Sequence, residues 1–258
     1  MSSGPLSGRG IVITRPREHA LALAERIRTA GGDPVLFPTI EILLPDDPGA
    51  AADLIARLDE FQLAIFVSPT AAIRGCGMAG AGRAWPSGLR VAAVGAGTAE
   101  ALKERGLDAV IAPAGEADSE ALAALPELQD LRGRSVVIFR GQGGREWLRV
   151  RLEARGARVE YAECYRRARP DADAGALLAR WQRGGIEAAS ITSAEGLANF
   201  LEMLGPTGAG YLRATPVFVP HPRIAIAAER LGVRRIIVTG RGDDRTVAEM
   251  AAFFAGSC

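Results

Sequence analysis

With 258 residues, 48% of them hydrophobic, the chain can bury a substantial core and is long enough for one large or two modest domains. A formal net charge of +1 excludes the global field of a typical nucleic-acid or membrane-surface protein, so charge has to act locally. Cys76, Cys164 and Cys258 show no C-x-x-C spacing and His19 and His221 are the only histidines, which leaves a zinc site, a disulfide framework and a Cys/His nucleophilic pair without support. The opening MSSGPLSGRG lacks the regions of an export signal and no apolar run reaches membrane-span length, so a soluble cytoplasmic protein without membrane or nucleic-acid partners is expected. Lys103 is the only lysine among 31 basic residues; guanidinium charge suits bidentate carboxylate binding, and a coding bias toward Arg accounts for it equally well.

Residues 10–14, GIVIT, read as a buried strand, and residues 17–31 carry apolar positions at helical spacing before Gly31-Gly32 stops them. An extended run over 34–44 is broken by Pro38 and ends at Pro45, which argues for an edge or connector. Residues 53–61 read as helix and 63–67 as a buried strand. Ser68-Pro69 is a helix start, with Ser as N-cap and Pro at the first helical position. In the stretch 90–106, RVAAVGAGTAEALKERG, a strand over 91–94 runs into the loop Gly95-Ala96-Gly97 and a helix from Thr98. Its free first-turn amides suit a phosphate or carboxylate. A short strand over 109–112 and a helix from about Ser119 follow, and the alternation predicts a parallel sheet covered on both faces.

At Leu131 the text starts again. LSGRGIVITR from Leu6 aligns with LRGRSVVIFR from Leu131 at an offset of 125, with six identities. At the same offset, residues 190–193 fall on 65–68, TPVFVPHPRIAIAAERLG from Thr215 falls on the 90–106 stretch, and 236–238 fall on 110–112. The expected fold is therefore α/β: two similar parallel-sheet domains from an internal duplication, joined by a two-stranded extended connector with an interdomain cleft. One domain takes residues 1–36 plus 171–258 and the other 45–158, with connectors at 37–44 and 159–170. Two contiguous halves split near Asp130 are the other arrangement. Ligands of open α/β sheets sit at the carboxyl ends of the strands.

TRP (Thr14 onward), FPTIEI (from Phe37), IFVSPTA (from Ile65), VAAVGAGTAEAL (from Val91), ECYRR (from Glu163), ITSAEGL (from Ile191) and VPHPRIAIAAERLG occur in this order. Together they resemble the uroporphyrinogen-III synthase family, from about Arg9 to the end. The resemblance implies two α/β domains with a two-stranded connector and a cofactor-free cyclisation of linear hydroxymethylbilane to uroporphyrinogen III, with the last pyrrole ring inverted through a spiro intermediate. It implies a linear tetrapyrrole as substrate, with hand-over from the preceding pathway enzyme as a further expectation. Such a site needs anion cradles, a donor for the leaving oxygen and a shape that folds the chain.

Tyr165 matches the tyrosine of the family's connector motif, and its phenol suits the leaving hydroxyl; a packed connector tyrosine is the plain alternative. Thr98 matches the family's threonine and suits a carboxylate arm, or caps the helix beside Gly95 and Gly97. Ser68 and Ser193 follow equivalent strands, with capping and substrate contact both open. Thr14 and Arg15 follow the first strand, and Arg15 and Arg140 are duplicated positions suited to substrate carboxylates or to structural ion pairs. His221 and Arg223 replace the small residues of the 95–98 loop with cationic ones, while Arg166, Arg167 and Arg169 read as a solvated basic face. A nicotinamide enzyme fails because the third glycine of G-x-G-x-x-G falls on Glu100. A non-catalytic hinged protein that binds a tetrapyrrole or another anion is the alternative.

Overall fold

The computed structural model describes residues 4–80, 85–115 and 118–256; Cys258 lies outside them. Its strands are β1 (Gly10–Ile13), β2 (Asp33–Leu36), β3 (Glu41–Leu43), β4 (Leu63–Phe66), β5 (Arg90–Ala93), β6 (Val110–Ile111), β7 (Ser135–Gly141), β8 (Arg158–Ala168), β9 (Ala188–Ser190), β10 (Val217–Val219) and β11 (Ile236–Val238). They divide between two compact units, one made of Met1–Glu41 with Ala168–Cys258 and the other of Ile42–Arg167.

The first unit holds a sheet of order β11-β10-β9-β1-β2, the second a sheet of order β3-β8-β7-β4-β5-β6. Ladders β1–β2, β1–β9, β9–β10 and β10–β11 are parallel, as are β4–β5, β4–β7, β5–β6 and β7–β8. Strands matched at an offset of 125 occupy the same places in the two orders, with β3 added at one edge. Registers repeat as well: Gly10 pairs with Asp33 as Ser135 pairs with Arg158, and Ile11 with Ala188 as Val136 with Leu63. The β9–β10 ladder departs by one step, since Ala189 faces Val217 whereas Ala64 faces Val91. The proline-bearing run over 34–44 becomes two short strands, β2 and β3, each at a sheet edge where a missing N–H costs no ladder bond.

Both faces of each sheet are covered, which is why the central strands are apolar without a polar face. In the second unit, Ala64 and Phe66 of β4 pack with Leu54, Ala72 and Leu102 from helices Pro48–Ala56, Pro69–Ala79 and Ala96–Lys103. Leu63 and Ile65 pack on the other face with Leu122 and with Leu148 and Leu152 of Trp147–Glu153. Phe66 and Phe139 stack at 4.3 Å beneath Trp85. In the first unit, Val12 meets Leu177, Trp181, Leu197 and Phe200, while Ile11 and Ile13 meet Leu23 and Ile27 of Arg17–Thr29 and Met250 and Phe254 of Asp243–Ala255.

Candidate functional site

In the second unit the strand order reverses between β4 and β7. The chain runs outward through β5 and β6 and then returns to the other side of β4. Such a reversal sends the helices after β4 and β7 to opposite faces and opens a crevice at the strands' carboxyl ends. Ser68, which follows β4, lies there with Arg140 and Gly141 at the end of β7.

Tyr165 reaches this point through an irregularity in β8. Pairing between β7 and β8 is regular from Ser135–Arg158 to Arg140–Glu163, and then Gly141 faces Tyr165. One residue of β8 is thus extra, as in a β-bulge. Strict alternation would place Tyr165 with Val159 and Tyr161 on one face, but it packs with Ala162 and Cys164 on the other. The residue is 3% exposed, and its hydroxyl oxygen lies 3.2 Å from Ser68 Oγ. The ring edge is so close to Gly141 that a Cβ there would stand 2.7 Å from Cε2 and Cζ. The Tyr165 carbonyl accepts from Gln142 N–H at 2.7 Å, which fixes the strand on the far side of the bulge.

Ser68 is an N-cap: it is extended, and its Oγ accepts from Ala71 N–H at 3.0 Å, with Pro69 as the first helical residue. The neighbouring helix starts at Ala96, earlier than the Thr98 start expected from sequence, with Gly95 as its cap. Thr98 is therefore the third helical residue, 4% exposed, and no cap at all. The amides of Ala96 and Gly97 have no acceptor within their own helix, and a Cβ at Gly97 would come within van der Waals reach of Pro69, so the two helix starts are neighbours. Gly95 and Gly97 thus sit where positive helix ends converge.

Arg140 is placed differently from a substrate-facing arginine. Its side chain is nearly buried, donating to Glu146 Oε1 at 3.0 Å and to the Gly141 carbonyl at 3.1 Å, and it lies 4.3 Å over the Tyr161 ring. Tyr161 donates to Glu146 Oε2 at 2.9 Å. Burial and that carboxylate push the Tyr161 hydroxyl up to about 12, and the Tyr161 hydrogen bond, then Arg140, hold the Glu146 carboxyl below its ordinary range. Burial also raises Cys76 to about 11 and Cys164 to about 12, which disfavours the thiolate form of both.

In the first unit the reversal lies between β1 and β9. Thr14 donates its hydroxyl to the Ser190 carbonyl at 2.9 Å, and the Thr14 carbonyl accepts from both N–H and Oγ of Thr39. Arg15 pairs with Asp243 at 2.8 Å, while its Nε is buried without a partner. Ser193 caps Ala194–Ala214 by accepting from Gly196 N–H at 2.9 Å. His221 caps Pro222–Arg230 through Nδ1, which accepts from Arg223 N–H at 3.1 Å, and the Arg223 side chain is exposed. Beside them, Asn199 donates to the Thr39 carbonyl, a latch across two distant segments that no local pattern in the sequence signals. Arg166 pairs with Asp46 and Arg169 with Glu202, so part of the expected basic face is neutralised.

Among the described residues no group of three or more His, Cys, Asp or Glu side chains could hold a metal ion, and no helix is long and apolar enough to cross a membrane. A family model described as uroporphyrinogen-III synthase HemD matches residues 22–244. The uroporphyrinogen-III synthase of Salmonella typhimurium (strain LT2) is 36% identical over 238 residues, 91% of this chain and 96% of that protein. That of Escherichia coli (strain K12) is 32% identical over 236 residues, with the same coverage. Two solved uroporphyrinogen III synthases share the fold. A mutant from Thermus thermophilus has TM-score 0.64 and 20% identity over 95% of this chain and 98% of that one. One from Helicobacter pylori 26695 has TM-score 0.59 and 14% identity over 95% and 99%.

Proposed function

This chain belongs to the uroporphyrinogen-III synthase family, and we propose that it closes linear hydroxymethylbilane to uroporphyrinogen III, with loss of water and inversion of the last pyrrole ring through a spiro intermediate. The match along 91% of the chain to nearly whole enzymes carries this reading, and it disfavours a non-catalytic binding module.

Tyr165 is the residue we assign to the chemistry. The reaction needs a proton for the departing hydroxyl and a fixed shape more than a strong nucleophile. A phenol whose ring is locked by core packing and whose oxygen stands at the switch-point crevice supplies both. The neighbouring helix starts at Ser68 and Gly95, with Gly97 and Thr98, take carboxylate arms of the substrate. In the first unit, we assign the same task to the positive ends of the helices that Ser193 and His221 cap, with Thr14 holding the end of β9 through the Ser190 carbonyl and Arg15 and Arg223 as further cations. Hand-over from the preceding enzyme would spare an unstable substrate from closing without inversion.

Freshly generated hydroxymethylbilane, incubated with the chain and resolved by isomer, tests the reading. The type III isomer is expected, whereas only the type I isomer of the uncatalysed control, or binding without turnover, would sink it. Tyr165→Phe should fold normally and lose at least about a hundredfold in kcat, the range of a lost general acid.

A further inference from the structure

We propose that Ser68 is a positioning residue for Tyr165: its hydroxyl donates to the phenolic oxygen, leaving the phenol's own proton free for the substrate. This rests on the assignment of Tyr165 above. Ser68 Oγ already accepts from Ala71 N–H at 3.0 Å and lies 3.2 Å from the Tyr165 oxygen. If the phenol donated to it, the serine oxygen would accept twice and its own proton would lose this partner. With serine as donor both hydroxyls are used, and the phenolic proton points away from Ser68.

The arrangement also ties the phenol to the start of helix Pro69–Ala79, whose positive end polarises the capping hydroxyl. During loss of water, the proton moves from the Tyr165 oxygen to the leaving hydroxyl. The carbon–oxygen bond breaks with its electron pair on the oxygen, and the pyrrole nitrogen lone pair stabilises the carbon cation. The phenolate keeps the Ser68 hydrogen bond, and the proton lost from the attacking pyrrole as that pyrrole regains its aromaticity after closure restores the phenol. Charge thus develops where a donor already points, which favours the transition state over the bound substrate.

Three substitutions separate donation from capping. Ser68→Ala loses both, Ser68→Asp keeps a cap acceptor but has no proton to donate, and Ser68→Thr keeps both. The expected result is a kcat lowered about tenfold or more in Ser68→Ala and Ser68→Asp, with melting temperature reduced only in Ser68→Ala, and recovery of most of kcat in Ser68→Thr. In the Tyr165→Phe background, Ser68→Ala should bring no further loss of kcat, because a residue acting through the phenol has nothing left to position. Independent, multiplying losses, or wild-type kcat in folded Ser68→Asp, would overturn the role of Ser68 while leaving Tyr165 in place. Wild-type turnover by Tyr165→Phe would remove both.

Discussion

Tyr165 faces Gly141 one step out of line with the β7–β8 pairs before it, which run from Ser135–Arg158 to Arg140–Glu163. The missing Cβ at Gly141 makes room for the ring, since a Cβ would lie 2.7 Å from two ring carbons and 3.1 Å from the hydroxyl. Gly141→Ala should therefore displace the phenol, costing about 1–3 kcal/mol of stability as overpacking does. We expect kcat to fall at least about tenfold with KM little changed. Wild-type turnover in a folded Gly141→Ala protein would show that the ring's position is unimportant.

Thr98 offers a test of binding that leaves the helix intact. Gly95 is the cap and Thr98 lies within the first turn, so Thr98→Val removes a hydroxyl without removing a cap. A lost hydrogen bond to a carboxylate arm is worth about 1.5–3 kcal/mol, which predicts KM higher by roughly tenfold or more. Unchanged KM in steady-state kinetics would free Thr98 from substrate contact.

Arg140 should behave as a structural residue. Its guanidinium is committed to Glu146, the Gly141 carbonyl and the Tyr161 ring. Arg140→Gln is expected to lower stability by about 1.5–3 kcal/mol in denaturant titration, the range for a charged hydrogen bond, and to leave KM near wild type. The opposite pattern, a raised KM with unchanged stability, would return Arg140 to the substrate.

The same cluster sets a pH dependence. The Glu146 carboxyl is held low in the folded protein, first by the Tyr161 hydroxyl and then by Arg140. A depressed carboxyl stabilises the fold above its unfolded value, about 4.3, and that contribution disappears as pH falls through the lower folded value. The Tyr161 hydroxyl, raised to about 12, works at the other end, and its contribution is present below about 10 and lost as pH rises toward its folded value. Glu146→Gln should flatten the acid side of a stability-against-pH curve; an acid limb identical to wild type would exclude Glu146 as its source.

Cys76 and Cys164 sit in one core cluster, and burial raises both thiols, to about 11 and about 12. In a Cys258→Ser background, the folded protein at pH 8 should react slowly with a thiol reagent and release both thiols on unfolding. Rapid labelling of either in the native state would contradict this packing.

The strands and caps were legible because they depend on local patterns. Apolar runs at 63–67 and 91–94 form β4 and β5, and both Ser68 and Ser193 cap helices where Ser follows a strand. The Ala96 start was hidden because Gly and Ala give the first turn little signal, and the extended Gly95 backbone decides it. The face taken by Tyr165 was hidden for another reason: alternation points it to the wrong side, and the bulge that corrects it exists only in the pairing with β7. The fates of Arg15 and Arg140 depend on Asp243 and Glu146, partners chosen by tertiary geometry.

The discontinuity of the first unit sets a timetable for synthesis. Its interior strand β1 is flanked by β2 and β9, and Ile11 cannot meet Ala188 until most of the chain has been made. The second unit, by contrast, draws its strands from the uninterrupted run Ile42–Arg167, save for the first residue of β3 and the last of β8. Nascent chains stalled before Ala188 should accordingly protect β4 to β8 from protease while the apolar GIVI segment stays open, a period in which it depends on chaperones or speed to avoid wrong partners.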